Sequence, residues 1–313
     1  MKLSDKNRSV LFSGFFISFI GAIFFSTKAI FVKLAYADSH VDAVTMLTLR
    51  MTFALPFYIA IGLHRSNHKQ NIFFTRKQWI YVLLLGFLGY YMSSLFDFIG
   101  LQYVSAGLER LILFIYPTLV LLISAVLFRQ KINGYQKLAV VLTYVGIAIA
   151  FLGELKIDST NPNFYYGTFM IFLCAVAFSV YIVGSGRMIP ETGATKFTSY
   201  AMIAAAGGII IHFIISGRTL HTVNSQLIIY AILLAVVATV IPTFFISNAI
   251  RKIGSTNVAI IGSIGPVSTI LQAHYILGEK ISIGQVIGTI LVITGVILIG
   301  IKGRANLVSS KPI

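Results

Sequence analysis

Residues Phe98–Phe151 read FIGLQYVSAGLERLILFIYPTLVLLISAVLFRQKINGYQKLAVVLTYVGIAIAF, and residues Ser247–Gly300 read SNAIRKIGSTNVAIIGSIGPVSTILQAHYILGEKISIGQVIGTILVITGVILIG. A gapless shift of 149 positions lays Ile115, Pro117, Leu122, Lys131, Ile132, Gln136, Leu142 and Gly146 on Ile264, Pro266, Leu271, Lys280, Ile281, Gln285, Leu291 and Gly295. Apolar matches are cheap in such a sequence, but a proline, a lysine, a glutamine and a glycine in one register are not. Each copy is an apolar run with a proline in its middle, a short charged turn, and a second apolar run. This pattern describes a helix pair used twice.

Outward from that stretch, 57% of the residues are hydrophobic and 11% charged, far from the roughly one quarter charged of soluble chains. Apolar runs longer than the ~18 residues that mark a spanning helix recur throughout. Ten spans follow: Leu11–Leu34, Asp42–Leu63, Gln78–Phe96, Val104–Leu127, Gly134–Gly153, Tyr165–Met188, Lys196–Ile215, Ser225–Asn248, Ser255–Leu277 and Ser282–Ile301. Basic residues ahead of the first run imitate a secretory signal, but the run outlasts the ~7–15 residues of a signal core, so it reads as a retained helix. A β-barrel would need shorter, alternating segments.

The net charge of +15 has a topological distribution. With the N-terminus in the cytoplasm, the inner segments carry seventeen Lys and Arg, and the outer ones only Lys33, Lys156, Arg218 and Lys280. This positive-inside bias places both termini in the cytoplasm. It also argues against nucleic acid, whose binding gathers basic residues on one soluble face. Ten spans divide into five and five, residues 1–153 and 154–313, and an odd number per half inserts the halves in opposite senses. The expected fold is thus an all-α integral membrane protein of ten transmembrane helices in two inverted five-helix repeats.

Charge within the bilayer is expensive, ~2.5–3.5 kcal/mol per residue on insertion scales, so each retained charge asks for a reason. Lys28, Arg50, Glu109 and Arg110 lie within spans and Asp97 lies at a helix end, all in the outer half. They are candidates for substrate binding or gating. The plainer reading pairs Arg50 with Glu109 as structural glue and lets Lys28 snorkel to the headgroups. Adjacent in sequence, Glu109 and Arg110 are expected to point ~100° apart, toward different neighbours. Glu109, Leu113, Tyr116 and Val120 form one stripe of the fourth helix, and Gly262, Gly265, Thr269 and Gln272 the matching stripe of the ninth. Tyr116, Thr269 and Gln272 thereby join the candidates, on a face better suited to a cavity than to lipid. Pro117 and Pro266 each free a carbonyl one turn earlier, and act either as hinges or as packing kinks. Glu279 and Lys280 are expected to form an ion pair in a tight outer turn. Gly284, Gly288 and Gly295 form a small-residue stripe that suits close helix packing or a homodimer. The single cysteine, Cys174, leaves no thiolate cluster for a metal. No HExxH, GxSxG or phosphate loop marks an enzyme or a bound cofactor.

YVSAGLERLILFIYPTLVLL, residues 103–122, and LGEKISIGQVIGTILVITGVILIG, residues 277–300, resemble the fourth-helix and the ninth-to-tenth-helix signatures of the EamA branch of the drug/metabolite transporter superfamily. Arg50 in TLRMTFALPFYI is similar to a second-helix arginine often seen there. The resemblance implies ten helices, an inverted repeat, a central cavity and alternating-access transport of amino acids, other metabolites or drugs. The first copy departs from the pattern at Arg129 and Gln130, where the second has Gly278 and Glu279. The reading is a secondary transporter of the bacterial inner membrane. Arg50 and Lys28 favour a carboxylate-bearing substrate, and Glu109 is the protonatable group if transport is coupled to protons. The other readings are a membrane enzyme acting on lipid-linked substrates and a structural or sensory protein in which the charges are only glue.

Overall fold

The structure is a computed structural model that describes residues 5–39, 41–67, 71–128, 132–151, 162–220, 223–277 and 281–302. The Glu279–Lys280 turn, the 129–131 turn and the chain ends beyond these residues lie outside them. Among the described residues all regular structure is helical: α1 (Asp5–Asp38), α2 (Ala43–Ser66), α3 (Arg76–Tyr103), α4 (Ala106–Leu113), α5 (Tyr116–Phe128), α6 (Gly134–Phe151), α7 (Phe164–Thr192), α8 (Ala194–Ile215), α9 (Ser225–Ile253), α10 (Ser255–Ile261), α11 (Ile264–Leu277) and α12 (Ile283–Lys302). Six helices, α1, α2, α3, α7, α8 and α9, are long and apolar enough to cross a membrane, and α5, α6 and α12 contain shorter apolar segments.

Local chemistry sets the helix starts. Asp42 accepts the backbone N–H groups of Val44 and Thr45, and Thr75 and Gln78 form a reciprocal capping box before α3, satisfying donors that a first turn leaves unpaired. Between α7 and α8, and between α9 and α10, the chain turns instead on Gly193 (φ 79°) and Gly254 (φ 81°), a conformation that a side chain would strain.

From α3 onward the helix starts follow the 149-residue register of the sequence to within a residue. Arg76 and Ser225 open α3 and α9, Ala106 and Ser255 open α4 and α10, and Gly134 and Ile283 open α6 and α12. Even the irregularities coincide. A π-helical turn interrupts α3 at Phe87–Met92 and α9 at Val236–Val240, and the Asn133–Gln136 cap of α6 has its counterpart in Ser282–Gln285 before α12.

The expected fourth and ninth helices are not continuous. Ile115 N–H turns to the Ile112 carbonyl at 3.1 Å and Ser263 N–H to Ile260 at 3.0 Å, tightening each helix by one residue before it resumes as α5 or α11. Pro117 and Pro266 stand just past these breaks. A proline has no N–H, and its ring crowds the carbonyl four residues back, Leu113 and Gly262, so the preceding turn cannot continue as regular α-helix.

The main packing partners lie in opposite halves of the chain: α2 against α8, α6 against α12, α1 against the last part of α9, and the last part of α3 against α7. Polar contacts fix the helix directions. At one end of the bundle Asp38 accepts from Gln226 (2.9 Å) and Tyr230 (2.7 Å), and Arg218 meets Asp42 at 2.9 Å. At the other end Lys252 donates to Ser13 (2.7 Å), Gln78 donates to Glu191 (3.2 Å), and the Ser66 and Tyr200 hydroxyls meet at 2.8 Å. The α12 glycine stripe is used within the protomer, since a Cβ on Gly288 would collide with the Gly146 carbonyl and one on Gly295 would lie 2.9 Å from that of Ala139. Gly288→Val is therefore expected to cost about 3 kcal/mol or more through overpacking. Gly207→Ala, where a Cβ meets nothing within 4 Å, should stabilise by up to ~1 kcal/mol through helix propensity. Thermal unfolding of the two variants in detergent checks the contrast.

Candidate functional site

Five buried charged side chains converge from α1 to α4. Ser105 caps α4 through Leu108 N–H at 3.1 Å, which places Glu109 in the first turn and Arg110 in the last turn of this eight-residue helix. Each charge thus sits at the end of the helix dipole that favours it. Lys28 Nζ lies 2.6 Å from Asp97 Oδ2 and 4.0 Å from Glu109 Oε1, and Arg110 Nε lies 3.0 Å from Glu109 Oε2. Arg110 Nη2 also donates to the Ser26 carbonyl at 3.2 Å. Asp97 and Glu109 are fully buried. Cys174 of α7 donates its thiol to Asp97 Oδ1 at 3.9 Å and meets Ser93 Oγ at 3.5 Å.

Arg50 belongs to a neighbouring arrangement. Its Nε donates to Thr239 Oγ1 at 2.7 Å, its guanidinium lies 5.4 Å from the centre of the Phe98 ring, and Nη1 has no hydrogen-bond partner in the protein. Thr239 sits in the π-helical turn of α9 and bonds back to Leu234 O at 2.6 Å. Its equivalent in the π-helical turn of α3 is Tyr90, so both irregular turns present a hydroxyl-bearing side chain to the interior. With all five groups ionised, three cations stand against two anions.

Arg110 also lines a cavity of about 60 Å³ between the two halves of the chain. Ala22, Phe25, Ser26, Tyr90, Leu113, Phe114 and Tyr116 come from the first half, and Phe178, Ile182, Ile246, Val258, Gly262, Gly265 and Pro266 from the second. The aromatic rings interlock, Phe25 on Phe178 at 5.7 Å and Tyr116 on Phe178 at 5.5 Å between centres. The break before α11 leaves the Ala259 carbonyl without its usual helical donor, and the Tyr116 hydroxyl supplies one from the other half at 2.9 Å. Gly262 makes room for that hydroxyl, because a Cβ there would overlap it.

The 149-residue register exposes an asymmetry. Asp97, Glu109 and Arg110 correspond to Ile246, Val258 and Ala259, of which Ile246 and Val258 line the cavity opposite Arg110. One wall is charged and its counterpart is apolar.

Several expectations need correction. Arg50 does not pair with Glu109; its partner is a hydroxyl. Lys28 does not snorkel: it is 4% exposed because Asp97 compensates it inside the bundle. Asp97 is not at a helix end, since α3 runs on to Tyr103. Glu109 and Arg110 do not part company, because the arginine side chain is long enough to fold back over the ~100° between them. The two stripes divide. Leu113, Tyr116, Gly262 and Gly265 line the cavity, whereas Thr269 bonds to Gly265 O (3.1 Å) and Gln272 to Ser268 (2.7 Å) beside a separate, largely apolar groove between α1, α11 and α12. Sequence reasoning passed over Ser26, Phe98, Phe178 and Thr239. Thr239 was findable as the register mate of Tyr90; the others carry no signal in the sequence.

The EamA-like transporter family model matches residues 12–152 and again residues 165–301. The uncharacterized transporter YcbK of Bacillus subtilis is 30% identical over 88% of this chain and 90% of its own length. The uncharacterized inner membrane transporter YicL of Salmonella typhimurium is 20% identical over 91% of this chain and 94% of its own. A solved crystal structure shares the fold at a TM-score of 0.74 and 19% identity, covering 96% of this chain and 99% of the other.

Removing one member of a buried ion pair leaves the other uncompensated at about 3–5 kcal/mol, whereas removing both is often near neutral. Lys28→Met should therefore destabilise the protein strongly, and Lys28→Met with Asp97→Asn should recover most of the loss, as a double-mutant cycle on thermal unfolding will report.

Proposed function

This chain belongs to the EamA-like transporter family and is a multi-pass membrane transporter; from that premise we propose that it is a secondary transporter carrying small carboxylate-bearing metabolites by alternating access through the cavity between its halves. In this reading ten crossings form two inverted five-helix repeats, residues 1–153 and 154–313, with both termini in the cytoplasm of a bacterial inner membrane. Four observations support it: the coincident helix bounds, the double match of one family model, the opposite directions of corresponding helices, and the packing of each helix on a partner from the other half. The positive-inside distribution of Lys and Arg supports the orientation.

The carrying observation is the cavity itself, with a buried arginine on one wall and apolar side chains on the wall that corresponds to it. At about 60 Å³ it is well below the ~300 Å³ of ordinary ligand pockets, so a metabolite enters only when the halves rearrange. The breaks before Pro117 and Pro266 lie at the cavity and are the natural places for that rearrangement, which must separate the Tyr116 hydroxyl from Ala259. In a membrane-embedded site a substrate carboxylate is favoured by the excess of cations, and the interlocked rings favour a compact apolar body. A proton gradient is the energy source in this reading, with Glu109 as the group that takes the proton.

Uptake of a panel of radiolabelled amino and keto acids into proteoliposomes tests the function. Gly265→Leu, which projects into the cavity near Ser26, should cut uptake at least tenfold while leaving the thermal midpoint within a few degrees. Undiminished uptake by a folded Gly265→Leu protein would remove the cavity from the pathway.

A further inference from the structure

We infer that a substrate monoanion takes the place of the Glu109 carboxylate on Arg110, and that Glu109 takes up one proton as this happens, so that proton and anion enter the site together and without net charge. The inference rests on the cavity reading above and specifies how that site selects its solute. Its starting point is a conflict of geometry: Arg110 is the one charged side chain lining the cavity among the described residues, yet its Nε is held by Glu109 at 3.0 Å. Glu109 is fully buried and does not line the cavity. An entering anion meets an arginine already occupied from behind.

Three exchanges would free the guanidinium. Arg110 cannot lose its proton. If an anion joined while Glu109 stayed ionised, two carboxylates would compete for Arg110 and a third negative charge would be buried beside Asp97 and Glu109, which a dry interior disfavours. Protonation of Glu109 removes the conflict, because the proton comes from solution, the carboxylate becomes a neutral acid, and the salt bridge passes from Glu109 to the substrate. The summed charge of the site is the same before and after. The surroundings of Glu109 fit this exchange. Lys28 faces it from α1 at 4.0 Å and is held at the same time by Asp97 of α3 at 2.6 Å. Asp97 itself, Lys33 of α1 and Cys174 of α7 also lie within its electrostatic reach. Because Lys28 keeps Asp97 as its own counter-ion, neutralising Glu109 leaves no cation stranded.

The opposite wall defines the rest of the solute. Phe178, Ile182, Ile246 and Val258 offer no partner for a second charge. The class is accordingly a monoanion with an aromatic or branched apolar body, and the zwitterionic amino acids are the weaker ligands.

Titration calorimetry of the purified full chain in detergent tests this, with benzoate, phenylpyruvate and 4-methyl-2-oxopentanoate as probes and benzamide and benzylamine as neutral and cationic controls. Repeating the titration in buffers of different ionisation enthalpy counts the protons. About one proton should be taken up per anion bound, with affinity falling about tenfold per pH unit where Glu109 is ionised in the free protein. Glu109→Gln, close to isosteric and neutral, should bind the same anions with no proton uptake and less than a twofold change per pH unit. Adding Arg110→Gln to that variant should weaken anion binding at least tenfold, with folding verified by thermal unfolding. Anion binding to the wild-type protein without proton uptake, or proton uptake that survives in Glu109→Gln, would overturn the exchange. Binding of benzamide or benzylamine but none of the anions would overturn the substrate class and leave the cavity reading in place. Binding of no probe at all would likewise overturn the class proposed here, whereas the cavity reading stands or falls on the Gly265→Leu uptake experiment.

Discussion

Charge compensation inside an apolar bundle is the constraint on which the arrangement of the first four helices depends. Lys28 of α1 meets Asp97 of α3 and Glu109 of α4, so these three helices are tied at one depth by groups that could not stay ionised there alone. The tie also fixes what lies beside it. With Arg110 folded back toward Glu109, its outer face closes one side of the cavity. Arg50, held by a hydroxyl and an aromatic face and not by a carboxylate, leaves the cluster with one cation in excess.

A second constraint comes from the prolines. A continuous helix would carry its hydrogen-bond ladder past the middle of the bundle and present an unbroken side to the cavity. Pro117 and Pro266 prevent this, and beside the second break the Ala259 carbonyl, left without its helical donor, is taken up by Tyr116 across the halves. The contact between Tyr116 and Ala259 is thus a single hydrogen bond across the halves at a site of interrupted backbone. Where the first half has Tyr116, the second has Gly265, so the bridging hydroxyl comes from one side only.

The halves share geometry down to their π-helical turns, yet their chemistry diverges at corresponding positions. Asp97, Glu109 and Arg110 correspond to Ile246, Val258 and Ala259, and of these six Arg110, Ile246 and Val258 line the cavity. Such divergence lets one framework carry a buried arginine on one side of the cavity and apolar side chains on the other. Packing constrains the framework on both sides alike, through contacts such as Gly146 with Gly288 and Gly295 with Ala139, whereas the cavity lining is free to differ.

The all-helical character, the register that pairs the two halves and the positions of the buried charges were legible in the sequence, because a bilayer permits only long apolar segments and penalises every charge it keeps. Pro117 and Pro266 likewise announced where two helices would be disturbed. Which charges meet was not legible. The plainer of the two readings put Arg50 on Glu109 and Lys28 at the headgroups, because sequence spacing orients a side chain around its own helix and says nothing of what the neighbouring helix brings to it. Thr239 and Phe98 reach Arg50, and Asp97 reaches Lys28, only through the packing of α1, α2, α3 and α9. The adjacent Glu109 and Arg110 meet because the flexible arginine stem overrides the angle set by the helix, a choice made by the loss of water around both. The sequence alone determined that this is a helical membrane protein with charge inside its apolar segments; the tertiary structure decided the partners, since compensation of a buried charge depends on distances across helices that no spacing along one chain can encode.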